Sequence, residues 1–281
     1  MLRAYPSLPV SPAPIIDIGA NLTHESFQHD YQEVLDKACS VGVAHIILTG
    51  TDLASSEAAL LLSEEDPSRL SATVGFHPHI AESVSATEFS QAAKLAQRDM
   101  VVAVGETGLD FNRNFSPAEA QLKVFEQHLQ LACELNKPLF LHQRDAHEQF
   151  LPLLKKYRGD FPGGVVHCFT DTESAMADYL ELDMYIGITG WVCDERRGLG
   201  LQQIVKHIPD DRLLIETDAP YLLPRTLQPK PKSRRNEPQY LPAVLHTLAD
   251  CRQQDPEALA NLTTSNARRL FGLQHATASF G

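Results

Sequence analysis

Eight short apolar runs, separated by helix-like patterns, recur about 20 to 40 residues apart along the 281-residue chain. The runs are continuously apolar rather than alternating, as parallel strands are when both faces are covered. Early and late runs alike end in a carboxylate or an imidazole. Together these features predict an α/β chain folded as a (β/α)8 barrel of the TIM type, whose polar side chains gather after the strands. A doubly wound open sheet is the alternative, and it explains the ligand-type strand ends less well.

The elements follow in order. Residues 1–14 carry Pro and Ser without the apolar core of a signal peptide, and they read as a loose leader. A single domain is expected over 15–272, with a tail over 273–281. Ile15–Ile16–Asp17–Ile18 is the first strand, and residues 30–41 have helical spacing. Residues 44–49 form a second strand and 53–65 a helix. The third strand, 70–74, runs into Gly75–Phe76–His77–Pro78–His79, and a helix follows over 87–98. The fourth strand spans 100–104 and delivers Gly105 and Glu106.

Ser116–Pro117–Ala118–Glu119 reads as an N-cap, a first-turn proline and a capping-box glutamate. Leu122, Phe125, Leu129 and Ala132 then recur at helical intervals. Pro138–Leu139–Phe140–Leu141–His142 is the fifth strand, and the helix over 147–157 is expected to be disturbed at Pro152. Gly164–Val165–Val166–His167 is the sixth strand, followed by a helix over 173–182. The seventh strand spans 184–188, with a helix over 199–207. The eighth ends at Asp218, and a Pro-rich loop over 220–238 leads to helices over 240–252 and 256–271.

The bulk properties narrow the function. The chain is 43% hydrophobic, enough for a sizeable core, and its net charge is −12 at pH 7. Such a chain is no general nucleic-acid coat, because phosphate is repelled by most of its surface. A nucleic-acid substrate needs a local basic patch or a cation at the site. The five cysteines are widely spaced, with no Cys-x-x-Cys. That pattern points to reduced thiols and a cytoplasmic location. No apolar run approaches a membrane span, and no Gly-x-Gly-x-x-Gly or Walker-type loop is present.

Glu106, His142, His167 and Asp218 are four ligand-type residues, each at the end of its own strand. Alone, Glu106 reads as a buried ion pair, and each histidine as a satisfied core imidazole. Together they read as one metal site. A divalent cation neutralises phosphodiester oxygens and lowers the pKa of water. Asp218 suits a general base, and Glu106 is the second catalytic candidate. Carboxylates favour Mg2+ or Mn2+, while paired imidazoles also suit Mn2+ or Zn2+.

Val104–Gly–Glu–Thr–Gly–Leu–Asp110, Leu141–His–Gln–Arg–Asp145, Val166–His–Cys–Phe–Thr170 and Ile215–Glu–Thr–Asp–Ala–Pro–Tyr221 resemble the motifs of the TatD family of metal-dependent deoxyribonucleases. The resemblance runs from Ile15 to about Gly272 and is closest to the family's bacterial members. It implies a barrel of the metal-dependent hydrolase type, acting as a 3′-to-5′ exonuclease on single-stranded DNA and on RNA, with a part in DNA repair. Glu106, His142 and His167 match the family's metal ligands, and Asp218 its last ligand or proton acceptor. Magnesium enters from the resemblance.

The expected substrate contacts are His77 and His79 after the third strand, Arg113 and Arg144 after the fourth and fifth, and Arg234 and Arg235 in the loop after the eighth. A guanidinium clamps phosphate bidentately. Each also has a plainer reading as an incidental loop residue or a surface ion pair. Trp191 and Tyr221 are candidates for base stacking. Many relatives carry Asp-x-His-x-His on the first strand. Here that frame reads Asp17–Ile18–Gly19–Ala20–Asn21, so one well-held metal is expected. A monomer with no membrane association is expected. An amidohydrolase or deacylase on the same metal site, or a non-catalytic binding protein, are the competing readings.

Overall fold

A computed structural model of the chain describes residues 8–273. The chain gathers into two compact units, one from Met1–Ile47 with Gly187–Gly281 and one from Leu48–Ile186. Within the first, β1 (Ile15–Ala20), α1 (Tyr31–Ser40) and β2 (Val43–Leu48) come in turn. The second carries α2 (Leu53–Glu65), β3 (Leu70–Val74), α3 (Ala86–Leu95), β4 (Val101–Asp110) and α4 (Ala118–Leu135). It continues with β5 (Leu139–Arg144), α5 (His147–Tyr157), β6 (Gly164–Val166), α6 (Glu173–Glu181) and the start of β7 (Tyr185–Ile188). The chain then returns to the first unit with α7 (Leu199–Ile204), β8 (Leu213–Ile215), α8 (Leu241–Arg252) and α9 (Pro256–Phe271). The eight strands are ordered β1 to β8 in one sheet, the strand order of a (β/α)8 barrel. The pairings from β3 to β7 are parallel.

Both units show why the strands read as unbroken apolar runs. Every residue of β1, β3, β6 and β8 is buried. In the second unit α4 lies on β4, burying Val124, Phe125, His128, Leu129 and Ala132. The Phe125 ring stacks on Phe150 of α5 at 4.9 Å. His128 is a satisfied core imidazole. Its Nδ1 donates to Val124 O at 2.7 Å, its Nε2 accepts from Phe76 N–H at 3.1 Å, and burial pushes its pKa down to about 4. It therefore stays neutral and ties α4 to the backbone beside His77.

In the first unit α9 packs on β1 and β8. Its Asn266 amide donates to Leu213 O and Asp210 O, and its Thr264 hydroxyl to Pro14 O. The loose leader expected over 1–14 lies outside the described residues as far as position 7. From Ser11 the backbone is fastened, with Ser11 N–H donating to Val41 O at 2.9 Å. The expected tail lies outside the described residues from position 274.

Three local expectations are revised. Residue 104 is not the end of the fourth strand, because β4 runs on to Asp110 and Glu106 lies inside it. The continuation takes a register shift against β5, where Val104 faces Leu139 and Thr107 already faces Leu141. Glycine permits the close approach: a Cβ on Gly105 (φ +143) or Gly108 (φ +145) would run into Phe140 O or His142 O. Ser116 does not cap α4; it is buried, donates to His79 O and accepts from Glu82 N–H, and Pro117 takes the cap position. Pro152 does not break α5, which runs unbroken past it.

Gly108→Ala should destabilise the fold by about 3 kcal/mol or more, because the new methyl meets backbone of β5 at a φ that L side chains rarely adopt. Gly159→Ala, where nothing lies within 4 Å of the added carbon, should shift stability by no more than about 0.5 kcal/mol. Urea denaturation of the two variants checks the contrast, and equal midpoints would contradict it.

Candidate metal centre

The second unit builds its polar centre from four strand ends. Residues two apart on a strand share a face, so β4 presents Glu106, Gly108 and Asp110 together. β3 leads into His77, β5 carries His142, and His167 follows β6 directly. One oxygen, Glu106 Oε1, is the meeting point. His167 Nε2 lies 2.8 Å from it, His142 Nδ1 2.9 Å and His77 Nε2 3.3 Å. Glu106 and His167 are each only 4% exposed. Burial alone would raise the Glu106 pKa, but the imidazoles of His167, His77 and His142 hold it well below the usual carboxylate range.

A second carboxylate stands behind the first. Asp110 Oδ2 faces His142 Nε2 at 3.2 Å and His79 Nε2 at 2.8 Å. Its Oδ1 accepts the backbone N–H groups of Asn112 and Arg113 at 3.1 and 2.9 Å. Burial opposes its charge, yet these partners keep its pKa depressed. His142 thus has a carboxylate at each ring nitrogen. With Nε2–H given to Asp110, Nδ1 is the nitrogen free to ligate on the Glu106 side.

The donor set fits a divalent cation. His77, Glu106 and His142 each offer one ligand atom, all within 4.8 Å of one another. His167 approaches the same carboxylate oxygen. Two donors bound to one cation at roughly 2.1 Å lie roughly 3.0–3.4 Å apart, close to the nitrogen–oxygen spacings here. Imidazole with carboxylate suits Mg2+, Mn2+ or Zn2+ without choosing among them.

The sequence places His77 and His79 with the substrate; the structure gives His77 to Glu106 and His79 to Asp110. Asp110, within the Val104–Asp110 motif, was not among the expected site residues. Its signal was available, four residues beyond Glu106 on the same strand face. Arg113 and Arg144 are exposed and hold no ion pair among the described residues.

The first unit holds the remaining candidates. Asp218 follows β8 at φ +55, a left-handed conformation that marks a specialised position. Its N–H donates to Gly19 O at 2.9 Å, and its carboxylate accepts from the Asn21 amide at 3.1 Å. Asp17 is fully buried and accepts from Thr217 through both backbone and hydroxyl, and from Gly19 N–H. Burial pushes its pKa up to about 7 despite those bonds. Asn236, also buried, donates from its amide to Thr217 O and from its backbone to Pro220 O, bracketing the Asp218 turn.

The cations of the Pro-rich loop over 220–238 divide. Arg235 is not available to phosphate. Its guanidinium is committed to Asp30 and Glu237, donates to Ser26 O and lies 4.8 Å from the centre of the Phe27 ring. Both acidic partners lie in its own unit, Glu237 two residues on and Asp30 far away in sequence. Arg225 pairs with Glu195. Lys232 and Arg234 are exposed. Trp191 lies under the Arg197 guanidinium at 5.0 Å, and Tyr221 is exposed beside His24.

Comparison with known proteins gives a consistent picture. Residues 16–272 match the family model described as TatD related DNase. A protein named 3′-5′ ssDNA/RNA exonuclease TatD, from Citrobacter rodentium, is 51% identical over 259 residues, covering 92% of this chain and 98% of that one. The crystal structure of a TatD homologue from Escherichia coli superposes with a TM-score of 0.84 at 28% identity, covering 92% of this chain and 98% of that one. A TatD family hydrolase from Entamoeba histolytica gives 0.83 at 28% identity, covering 95% of this chain and all of that one.

Asp110→Asn should leave every donor around Glu106 in place while weakening the hold on His142. Affinity for Mn2+, read by calorimetric titration, should fall about 10- to 100-fold. Unchanged affinity would mean that Asp110 serves the fold alone.

Proposed function

The chain belongs to the TatD-related DNase family, and on that premise we propose that it is a metal-dependent 3′-to-5′ exonuclease acting on single-stranded DNA and on RNA. The observation that carries this reading is the convergence of three imidazoles on one buried carboxylate oxygen. Glu106, His142 and His167 would hold the cation, with His77 at the same oxygen. Magnesium is the proposed ion, from the resemblance, with Mn2+ or Zn2+ compatible with the donors. A divalent cation there supplies charge to neutralise a phosphate oxygen and to acidify water.

The chain's own residues do the rest. Asp110 fixes the tautomer and orientation of His142. Asp218 is the proposed proton acceptor, a role that rests on its match to the family motif. Its carboxylate accepts from the Asn21 amide, and a carboxylate within hydrogen-bond reach of a water can take its proton. Arg113, in the turn after β4, and Arg144, the last residue of β5, are exposed cations suited to backbone phosphate. Lys232 and Arg234 extend that role in the first unit. In a chain of net charge −12 such local cations are what a nucleic acid requires.

A cytoplasmic monomer fits this reading. No disulfide joins the five cysteines, and no helix among the described residues is long and apolar enough to cross a membrane. Trimming of 3′ ends would suit a part in DNA repair. The amidohydrolase reading explains the metal donors but gives no reason for the unpaired cations.

A time course on 5′-labelled single-stranded DNA tests the proposal. One-nucleotide shortening from the 3′ end should need a divalent cation and stop with chelator. Glu106→Ala and His167→Ala should each lose most turnover, with the double variant little worse. Shortening that survives chelator, or internal cleavage, would contradict it.

For the loop, Lys232→Ala with Arg234→Ala should raise KM on long strands at nearly unchanged kcat. The slope of log affinity against log salt should shrink by about 1.4 if both contact phosphate. Arg235→Ala should instead lower thermal stability, since it leaves Asp30 and Glu237 unpaired. An unchanged salt slope would remove the loop from the binding path.

A further inference from the structure

Phe115 is 64% exposed, among the most exposed large apolar side chains of the described residues. A lone exposed phenylalanine needs no explanation by itself; this one is set apart by what fixes it. The segment Phe111–Asn112–Arg113–Asn114–Phe115 is folded onto the metal centre by named bonds. Asp110 Oδ1 accepts two of its backbone N–H groups, and Phe111 N–H donates to Arg144 O at 2.9 Å. The Asn112 amide donates to Asp145, and the Asn114 amide closes the turn on Phe111 O at 2.7 Å with Asn114 at φ +50. Ser116, buried on the other side, is bonded to the backbone of His79 and Glu82. The ring is therefore held out from a rigid turn rather than hung on a floppy one.

Among the described residues its aromatic neighbour is His79, ring centres 4.8 Å apart and planes at 83°. His79 in turn lies 4.1 Å from His77, whose Nε2 faces Glu106. Two ring-to-ring steps thus connect a solvent-facing aromatic surface to the proposed cation donors. Arg113, exposed and cationic, leaves the same turn two residues earlier. An apolar ring and a guanidinium on one rigid turn match the two halves of a nucleotide, base and phosphate.

We propose that Phe115 is the platform on which the base of the 3′-terminal nucleotide stacks while its phosphate lies at the metal centre. This rests on the nuclease reading above and names the group that recognises the substrate's end. Stacking is tolerant of base identity, because every base has a π-face. It is available only to a base freed from its own duplex stack, so Phe115 also favours single strands over duplexes.

The test uses the metal-loaded enzyme and two single-stranded oligonucleotides, one ending in a normal 3′ nucleotide and one in an abasic 3′ residue. In the unaltered enzyme, loss of the base should raise KM roughly 5- to 150-fold, the span of one base–aromatic stack. Phe115→Ala should raise KM for the normal end by the same factor and leave the abasic end unchanged. Phe115→Trp should keep the discrimination; Phe115→Leu, apolar but without a π-face, should lose it. Equal losses on both substrates, retained discrimination in the leucine variant, or no effect of the alanine variant would each overturn the inference alone. An unaltered enzyme that shortens neither strand in the presence of cation would overturn the nuclease reading and this inference with it.

Discussion

Glu106 Oε1 is a single buried oxygen with three imidazole nitrogens within 3.3 Å. A carboxylate so placed is costly unless positive charge or donors meet it. Every neighbouring choice answers that constraint. The histidines come from three different segments, and Asp110 anchors the one that faces both carboxylates. Hydrogen bonds alone would need three N–H donors on one oxygen. A cation shared by His77, Glu106 and His142 would relieve that crowding.

The backbone is shaped to the same end. β4 reaches Asp110 only because glycine occupies positions 105 and 108, where any side chain would strike β5. The register shift between Val104 and Thr107 turns Glu106 toward the histidines, and the two-residue repeat then adds Asp110 to that face. His128, neutral in the core, holds the backbone of Phe76 next to His77. Packing, register and electrostatics converge on one carboxylate. The first unit follows a parallel logic, with Thr217, Asn236 and Gly19 fixing the backbone around Asp218.

Much of this was legible in the sequence. The continuous apolar runs marked the strands because burial on both faces leaves no alternation to obscure them. Glu106, His142 and His167 stood out as ligand types at strand ends, and the structure brings those three together. Contacts distant in sequence were harder to foresee. Arg235 looked like a phosphate contact because its partner Asp30 is 205 residues away. His77 looked like a substrate contact because nothing local shows that its ring reaches Glu106. The reach of β4 was underestimated because the apolar run stops at Val104, while the strand continues through a register shift to Asp110. Ser116 looked like a cap because its real partner, His79 O, lies 37 positions upstream.

Crystals of the protein soaked in Mn2+ and measured at the manganese absorption edge test the central claim most directly. An anomalous peak is expected within bonding distance of Glu106, His142 and His167, roughly 2.0–2.3 Å, with His142 still donating to Asp110. No peak beside Glu106 at saturating Mn2+, with the three imidazoles still hydrogen-bonded to its carboxylate, would contradict it.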